Sequence, residues 1–280
     1  MTQKAIRLRV CFCVSKDRNE GNGYPKNLHY FFGGNVTHIN MATADLLTYE
    51  IVQLRPMQCD SEVDAEAMVG SYRAFRLSSL QSDPDAFAST YLRESKETDQ
   101  FWQMRLANPK ALHFIAVRPD CDRTSSSNWF GMVVLLGPTE ENGVDNIHVN
   151  ASPWLSLDQS QGKGSEMPEC AEKGRDRKGI VYFHLNGTYT VPSARRRGMG
   201  AALFQAALQH AEKVCRQVDG EELVCTLYVD ADNGPAVKLY EHHGFRRTEE
   251  MLYGPQPVET GERPEKLAWK MVMQKSIPKP

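Results

Sequence analysis

The stretch that decides the fold is Val191-Pro-Ser-Ala-Arg-Arg-Arg-Gly-Met-Gly-Ala201. It follows an extended run of β-forming residues and leads into an alanine- and leucine-rich run with helical spacing, so it predicts a strand-loop-helix junction. Gly198 and Gly200 let backbone N–H groups approach an anion without an intervening Cβ, and the helix directs its positive dipole end at the same point. Three successive arginines, Arg195 to Arg197, add charge that pairs with phosphate in bidentate fashion. The stretch therefore predicts a phosphate-binding loop.

Two widespread phosphate motifs do not fit this spacing. A Walker loop requires lysine and then serine or threonine after its last glycine, but Met199, Gly200 and Ala201 occupy these positions. A dinucleotide fingerprint requires three glycines and an acidic residue about twenty positions further on. The spacing Arg-x-x-Gly-x-Gly, filled by Arg195, Gly198 and Gly200, resembles the pyrophosphate-binding loop of the GNAT superfamily of acyl-CoA-dependent N-acetyltransferases.

A second segment, Leu227 to Phe245, is similar to the next motif of that superfamily, in which a strand leads to an asparagine, then to a helix, and finally to Gly-Phe. The resemblance covers about Tyr49 to Met273. It implies an α/β (α+β) fold in which helices flank a mixed, mainly antiparallel central sheet, within one domain that carries an N-terminal extension and a long insertion. The matching residues of the second motif are Asn233, Ala236, Leu239, Tyr240, Gly244 and Phe245.

The resemblance also implies the residues of the site. Asn233 would contact the cofactor, and backbone groups of Thr190 and Val191 would pair with the pantetheine arm as an added strand. Tyr240 occupies the position from which the family protonates the departing thiolate. Acetyl-CoA is expected as cosubstrate, without a metal. The predicted cofactor-binding residues are Thr190, Val191, Arg195, Arg196, Arg197, Gly198, Met199, Gly200, Ala201, Asn233 and Tyr240, and the predicted catalytic residues are Tyr240 and His184.

His184 belongs to an extended run, Ile180 to Thr190, whose two faces differ in polarity. Period-two alternation predicts a polar, solvated face, which a cleft for cofactor and acceptor explains; an edge strand with one solvated face is the alternative. With an ordinary pKa near ~6.5, His184 is the candidate base, although the family often places a glutamate near this position. Asn186 is a candidate to align a water. The apolar face is predicted to hold Val181, Phe183, Leu185, Gly187 and Tyr189, and the polar face Tyr182, His184, Asn186, Thr188 and Thr190.

Composition narrows the class of protein. Of the 280 residues, 41% are hydrophobic, which supports a buried core, and the net charge of −2 argues against a general nucleic-acid-binding surface. No apolar run approaches the roughly twenty residues of a membrane span. The seven cysteines include no Cys-x-x-Cys pair and fit neither a zinc site nor a disulfide framework. We therefore expect no nucleic-acid or membrane partner, and a reducing compartment, either cytoplasmic or nuclear.

Periodicity and turn residues predict the order of the elements. Residues 1–45 are assigned to a poorly ordered extension, with Met41 as a hypothetical natural start, residues 46–275 to the domain with an insertion at about 138–178, and residues 276–280 to a tail. The predicted elements are a strand over Thr48–Arg55, a helix capped by Asp60-Ser61, a helix over Asp85–Leu106, strands over His113–Arg118, Trp129–Leu136 and Ile180–Thr190, a helix over Gly200–Cys215, a strand over Leu223–Val229, a helix capped by Asn233 or Gly234, and closing strands from Phe245 and over Lys266–Met273.

The expected function is an N-acetyltransferase that moves an acetyl group from acetyl-CoA to a primary amine of a small molecule or peptide. A non-enzymatic acyl-CoA-binding module that has lost its acceptor site is one alternative. An interaction scaffold that acts through the insertion is the other. Acceptor loops vary freely on one scaffold, so the sequence leaves the acceptor, and also the oligomeric state, open.

Overall fold

The computed structural model describes residues 8–10, 48–54, 61–139, 179–254 and 264–278. Eight strands form one sheet in the order β1-β2-β3-β4-β5-β6-β8-β7, and all neighbours are antiparallel except β5 and β6. The elements are β1 (Leu8–Val10), β2 (Tyr49–Leu54), α1 (Glu62–Ser82), α2 (Tyr91–Glu94), α3 (Asp99–Ala107), β3 (Ala111–Val117), β4 (Trp129–Thr139), β5 (Ile180–Thr190), α4 (Met199–Gln217), β6 (Glu222–Asp230), α5 (Gly234–His242), β7 (Arg246–Tyr253) and β8 (Lys266–Ser276).

Helices cover both faces of the sheet. On one face, α4 buries a stripe at helical spacing that includes Leu203, Ala207 and Ala211, and α5 packs beside it through Tyr240. On the other face, α1 and α3 bury a second cluster with Phe75 at its centre. The predicted mixed, mainly antiparallel sheet flanked by helices is therefore confirmed.

The parallel strands β5 and β6 separate part of the way along their length. They pair only from Ile180 to His184 on β5 and from Glu222 to Thr226 on β6. Beyond these residues β5 stays paired with β4, whereas β6 stays paired with β8. A gap therefore opens between the C-terminal halves of β5 and β6, and the predicted phosphate-binding loop follows β5 at this gap.

A β-bulge in β5 reverses which side chains face α4. Val134 pairs with Asn186 and Met132 with Tyr189, so Val133 alone lies opposite Gly187 and Thr188. Gly187 has a φ of 59°, in the left-handed region that favours glycine. The predicted alternation is therefore wrong beyond residue 187. Tyr189 packs in the cluster with Phe75 on the α1 face, away from Val181, Phe183 and Leu185.

Three further sequence expectations are corrected. The helix predicted over Asp85–Leu106 is interrupted, because the side chains of Thr90 and Thr98 cap separate starts for α2 and α3. The strand β5 lies between β4 and β6, so the edge-strand alternative is wrong. In the predicted tail, Ile277 is buried and its N–H donates to the Glu221 carbonyl, which joins it to the core.

The predicted extension and insertion lie largely outside the described residues. Within the extension, Leu8–Val10 pairs with Tyr49–Ile51 as the outermost strand of the sheet, so these three residues belong to the domain. Of the insertion, residues 138 and 139 finish β4, and residues 140–178 are outside the described part of the chain.

Candidate cofactor and acyl-transfer site

Backbone hydrogen bonds and backbone conformation fix the loop between β5 and α4. The Val191 N–H donates to the Phe130 carbonyl of β4 at 2.9 Å, which keeps the end of β5 in the sheet. A short 3-10 turn over Pro192–Ala194 follows. Arg196 and Gly198 then take left-handed conformations with φ values of 60° and 76°. These two residues reverse the chain and direct it into α4.

The start of α4 has backbone N–H groups that no side chain caps. The first intrahelical hydrogen bond runs from the Ala202 N–H to the Gly198 carbonyl at 3.0 Å, so the N–H groups of Met199, Gly200 and Ala201 belong to the first turn, which a helix cannot satisfy internally. No side chain caps this end and no acidic residue occupies its first turn. The dipole of α4 therefore favours negative charge at the gap.

The three loop arginines have different environments. The Arg195 Nε donates to the Thr190 carbonyl at 2.9 Å, and its Nη2 donates to Asp83 Oδ2 at 2.6 Å. The guanidinium of Arg195 is thus held by the protein itself. Arg196 and Arg197 are exposed at the surface beside the start of α4. They can approach a bound phosphate without breaking the contacts that Arg195 makes with Thr190 and Asp83.

Tyr240 on α5 lies on the α4 side of the gap. Its ring is 7% exposed and lies 4.9 Å, centroid to centroid, from Phe204. Burial raises the pKa of Tyr240 to about 12, and a hydrogen bond with the Thr188 side chain partly opposes that rise. Thr188 reaches Tyr240 because the bulge at Gly187 turns it toward α5. The hydroxyl of Tyr240 is therefore protonated at neutral pH and fixed in position.

Two other predicted site residues also support local structure. The Asn233 Oδ1 accepts a hydrogen bond from the Ala236 N–H at 3.2 Å and caps α5, as one of the two predicted caps. The Asn186 Oδ1 accepts from the Gly187 N–H at 2.7 Å and holds the bulge. The oxygen of Asn186 is thus used within β5. Since both side-chain oxygens are used in this way, Asn233 would contact the cofactor, and Asn186 would align a water, through the side-chain NH2 group.

His184 does not lie on a solvated face, and that expectation is wrong. The residue is 3% exposed, and its Nδ1 lies 2.9 Å from the Thr226 Oγ1. Burial, together with the positive charge of Lys270, lowers the pKa of His184 to about 4. Its ring contacts Tyr228 at 5.6 Å between centroids. Since His184 precedes the bulge, it faces away from α4 and Tyr240.

The structure therefore brings most of the predicted site together. The loop, the start of α4, Thr190 and Tyr240 meet on the α4 side of the gap, whereas His184 lies on the opposite side of the sheet. Two contributing residues, Thr188 and Asp83, were not among the predicted site residues, although Thr188 was placed on the polar face of the strand. A glycine inside a strand is a signal for a bulge, and Gly187 could have indicated the new orientation of Thr188.

The described residues hold neither a metal-binding cluster nor a membrane-spanning helix. They contain no group of three or more histidine, cysteine, aspartate or glutamate side chains placed to hold a metal ion. None of the helices in this part of the chain is long and apolar enough to cross a membrane.

Two diverging parallel strands, an uncapped helix start and a buried tyrosine at the gap make this an α/β protein with a candidate site for a phosphate-bearing ligand. A family model described as the acetyltransferase (GNAT) family matches residues 176–245. This segment holds the loop, α4, β6 and α5. The match confirms the resemblance inferred from the two motifs.

Individual proteins resemble the chain over different lengths. A mycothiol acetyltransferase of Mycolicibacterium gilvum (strain PYR-GCK) is 31% identical over 119 residues, covering 37% of this chain and 39% of that protein. The chain thus spans about two fifths of that relative. Arabidopsis thaliana NAA60 in complex with acetyl-CoA is 19% identical, with a TM-score of 0.42 over 71% of this chain and 92% of that chain. Vibrio cholerae spermidine N-acetyltransferase in complex with CoA and spermine is 11% identical, with a TM-score of 0.43 over 81% and 96%.

Proposed function

We propose that the chain is an acetyl-CoA-dependent N-acetyltransferase that acts on a primary amine of a small molecule or peptide. One observation carries the proposal: a helix start without a side-chain cap and a buried, protonated tyrosine lie on the same side of the same gap. The family match covers both features. The 31% identical relative is itself named an acetyltransferase, which supports the same type of reaction.

The cofactor has complementary groups along the gap. The N–H groups of Met199, Gly200 and Ala201 would bind the pyrophosphate, with Arg196 and Arg197 beside them. The Val191 N–H donates to Phe130 and the Thr190 carbonyl accepts from Arg195, so the Thr190 N–H would pair with the pantetheine arm where β5 has no partner on the β6 side. This arrangement would direct the thioester toward Tyr240.

The transfer itself requires few groups because a thioester is already activated. The amine nitrogen forms a bond to the acyl carbon, the carbon–sulfur bond breaks, and the thiolate takes a proton from the Tyr240 hydroxyl. Burial makes this hydroxyl a weaker acid than ordinary tyrosine. A thiolate held against the buried tyrosine would also take a proton more readily than in water, because burial raises the pKa of a thiol, as it does for Cys225 in the core of the sheet. Donor and acceptor are therefore shifted in the same direction.

The amine must also lose a proton. His184 is neutral at pH 7 because its pKa is about 4, so its ring can accept a hydrogen bond or a proton there. His184 faces the side of the sheet opposite Tyr240, but it is the last residue of β5 that pairs with β6, so it lies where the gap begins. Because a charged imidazole is unstable in this buried position, His184 would hold the amine proton only transiently and pass it to water. Tyr228, partly exposed and in contact with His184, lies on the outward path of that proton.

The proposal is tested by binding and by turnover. Calorimetry with CoA should show binding to the wild type and to Gly70→Ala, a helix variant whose new Cβ meets nothing within 4 Å. Gly198→Ala should bind weakly, because its φ of 76° disfavours any side chain. A panel of amines with acetyl-CoA, monitored by free thiol, should then reveal an acceptor. Binding of CoA without transfer to any amine would favour a non-enzymatic module, and absence of CoA binding would refute the proposal.

A further inference from the structure

A turn after α1 contacts the cofactor loop at the end of β5. This turn, residues 83–86, is here called the Asp83 turn. The Asp83 carboxylate accepts from Arg195 at 2.6 Å, and the same guanidinium donates to the carbonyl of Thr190, the last residue of β5. Asp83 is 24% exposed in its side chain, and Arg195 is 43% exposed. The turn is thus linked to the last residue of β5 through one side chain.

The same turn contacts the other side of the gap. The Lys266 Nζ donates to the Asp85 carbonyl at 2.9 Å and to Asp230 Oδ2 at 3.2 Å. Asp230 is the last residue of β6, and it also accepts a hydrogen bond from the Tyr253 hydroxyl. Residues only two positions apart in the turn are therefore tied to the ends of both diverging strands.

The Asp83 turn has a defined shape of its own. The Ala86 N–H donates to the Asp83 carbonyl at 3.0 Å, and the Asp83 N–H donates to the Ser79 carbonyl at the end of α1. Next to the turn, the Phe87 ring lies 6.2 Å from Tyr189 of β5 and 4.6 Å below the guanidinium of Arg76. The turn is therefore anchored to the α1 face of the sheet while it spans the gap.

We propose that the Asp83 turn is a clamp across the gap, and that Asp83 is a positioning residue that orders the cofactor loop through Arg195. This proposal rests on the proposed function. An aspartate beside an anion-binding loop would repel phosphate on charge alone, but here its charge is matched by Arg195. Arg195 then acts on the protein, and pyrophosphate binding is left to Arg196, Arg197 and the first turn of α4. Loss of Asp83 therefore weakens CoA binding even though it removes a negative charge.

Two variants of the Asp83 turn distinguish an effect on the order of the cofactor loop from an effect of the charge that is removed. Asp83→Asn and Asp85→Asn each remove one negative charge, but only Asp83→Asn breaks the link to Arg195. Asp85→Asn keeps the 2.9 Å hydrogen bond from Lys266 to the Asp85 carbonyl and loses only a 3.6 Å ion pair with Lys266 at a side chain that is 86% exposed. Calorimetry should give about a two- to fivefold weaker CoA affinity for Asp83→Asn, as expected for a partly exposed ion pair, and an unchanged or slightly tighter affinity for Asp85→Asn. An equal shift in both variants, or tighter binding by Asp83→Asn, would overturn the clamp.

A double-mutant cycle tests the route through Arg195. In an Arg195→Gln background, Asp83→Asn should change CoA affinity by less than about 1.5-fold, since the link is already lost. A full effect of Asp83→Asn in that background would overturn the role of Arg195. Amide hydrogen exchange at Ala86 tests the clamp without cofactor. The Ala86 N–H should exchange faster in Asp83→Asn than in the wild type, and an unchanged exchange rate would refute the claim that Arg195 holds the turn in place. A wild type that binds no CoA would instead refute the proposed function, and the exchange result would still decide the clamp.

Discussion

At the scale of single residues, the site depends on where two titratable side chains are buried. Tyr240 and His184 are both nearly inaccessible to solvent. Burial raises the pKa of Tyr240 and lowers that of His184, so it favours the neutral form of each side chain. Tyr240 therefore keeps its proton at every physiological pH, and His184 remains unprotonated. These are the states that the proposed acid and the proposed proton acceptor require.

Replacement of Tyr240 by phenylalanine tests the acid. The change removes one hydroxyl and leaves the ring packed on Phe204, so CoA affinity should stay within about twofold of wild type. Turnover should fall by ~10²–10⁴-fold, as is typical when a general acid is lost. The measurements are calorimetric CoA binding and kcat with the best acceptor. Thr188→Val is the matched variant, because it leaves the Tyr240 hydroxyl without its partner and should reduce kcat less. Full activity of Tyr240→Phe would exclude the acid role.

The pH dependence of the rate tests His184. Since the pKa is about 4, the acidic limb of the kcat profile that belongs to this residue should lie near pH 4, well below the ordinary histidine value. In His184→Ala that limb should flatten, and kcat at neutral pH should fall. Circular dichroism at each pH shows whether the protein is still folded. A profile that is identical in wild type and His184→Ala would assign proton removal to water alone.

At the scale of elements, the bulge in β5 decides which residues meet Tyr240. Without the extra residue at 187, regular alternation would turn Thr188 toward the α1 face and Tyr189 into the core beneath α4. The Asn186 side chain holds the bulge by its hydrogen bond to the Gly187 N–H. One glycine and one asparagine thus position the wall of the site.

Gly187→Ala should therefore damage both stability and the site. A side chain at a φ of 59° costs about 1–2 kcal/mol, although the new Cβ would meet only the Val134 and Met132 side chains, at 3.7 and 3.8 Å. Chemical denaturation measures that loss, and Gly70→Ala, in the middle of α1, should be neutral or stabilising. Relief of the strain by a regular strand would turn Thr188 away, so kcat should fall as well. A Gly187→Ala protein as stable as wild type would contradict the strain argument.

Much of the fold follows from sequence because local signals are strong there. The glycines at 198 and 200, the alanine-rich α4 and the asparagine before α5 predict the loop, both helices and the tyrosine position. The orientation of His184 could not be predicted, because its burial depends on Thr226, Tyr228 and Lys270, which approach it only in the folded sheet. The split between α2 and α3 depends on the threonine caps of the two helices. The composition of this segment alone does not show how strongly such caps favour a new helix start.

At the scale of the whole molecule, buried ionisable groups link stability to pH. Burial lowers the pKa of His113 to about 3 and that of His184 to about 4. The unfolded chain therefore binds more protons than the folded one below pH ~6.5, and stability falls as the pH falls. Burial alone would raise the pKa of Glu94, but the ion pairs with Arg76 and Arg105 outweigh it and lower the pKa to about 2. The contribution of Glu94 to the free energy of unfolding is therefore lost at still lower pH.

Urea denaturation across this range checks the prediction. The free energy of unfolding should be flat above pH ~7 and should fall between pH ~6.5 and ~4 by at most about 1.4 kcal/mol per pH unit for each buried histidine. In His184→Gln the slope should be smaller, since one of the two main contributors is removed. The same slope in wild type and variant would mean that His184 titrates alike in the folded and unfolded chain.

The position of β8 has a consequence for synthesis of the protein. β8 is the last of the described strands along the chain, yet it lies inside the sheet, with β6 on one side and β7 on the other. A ribosome that has made everything up to residue 265 has therefore produced β6 with an open edge and β7 with nothing to pair against. A premature stop before Lys266 would remove one strand, leave β7 unpaired and leave β6 open on one edge, and such a product would be a target for proteolysis rather than a shorter version of the same domain.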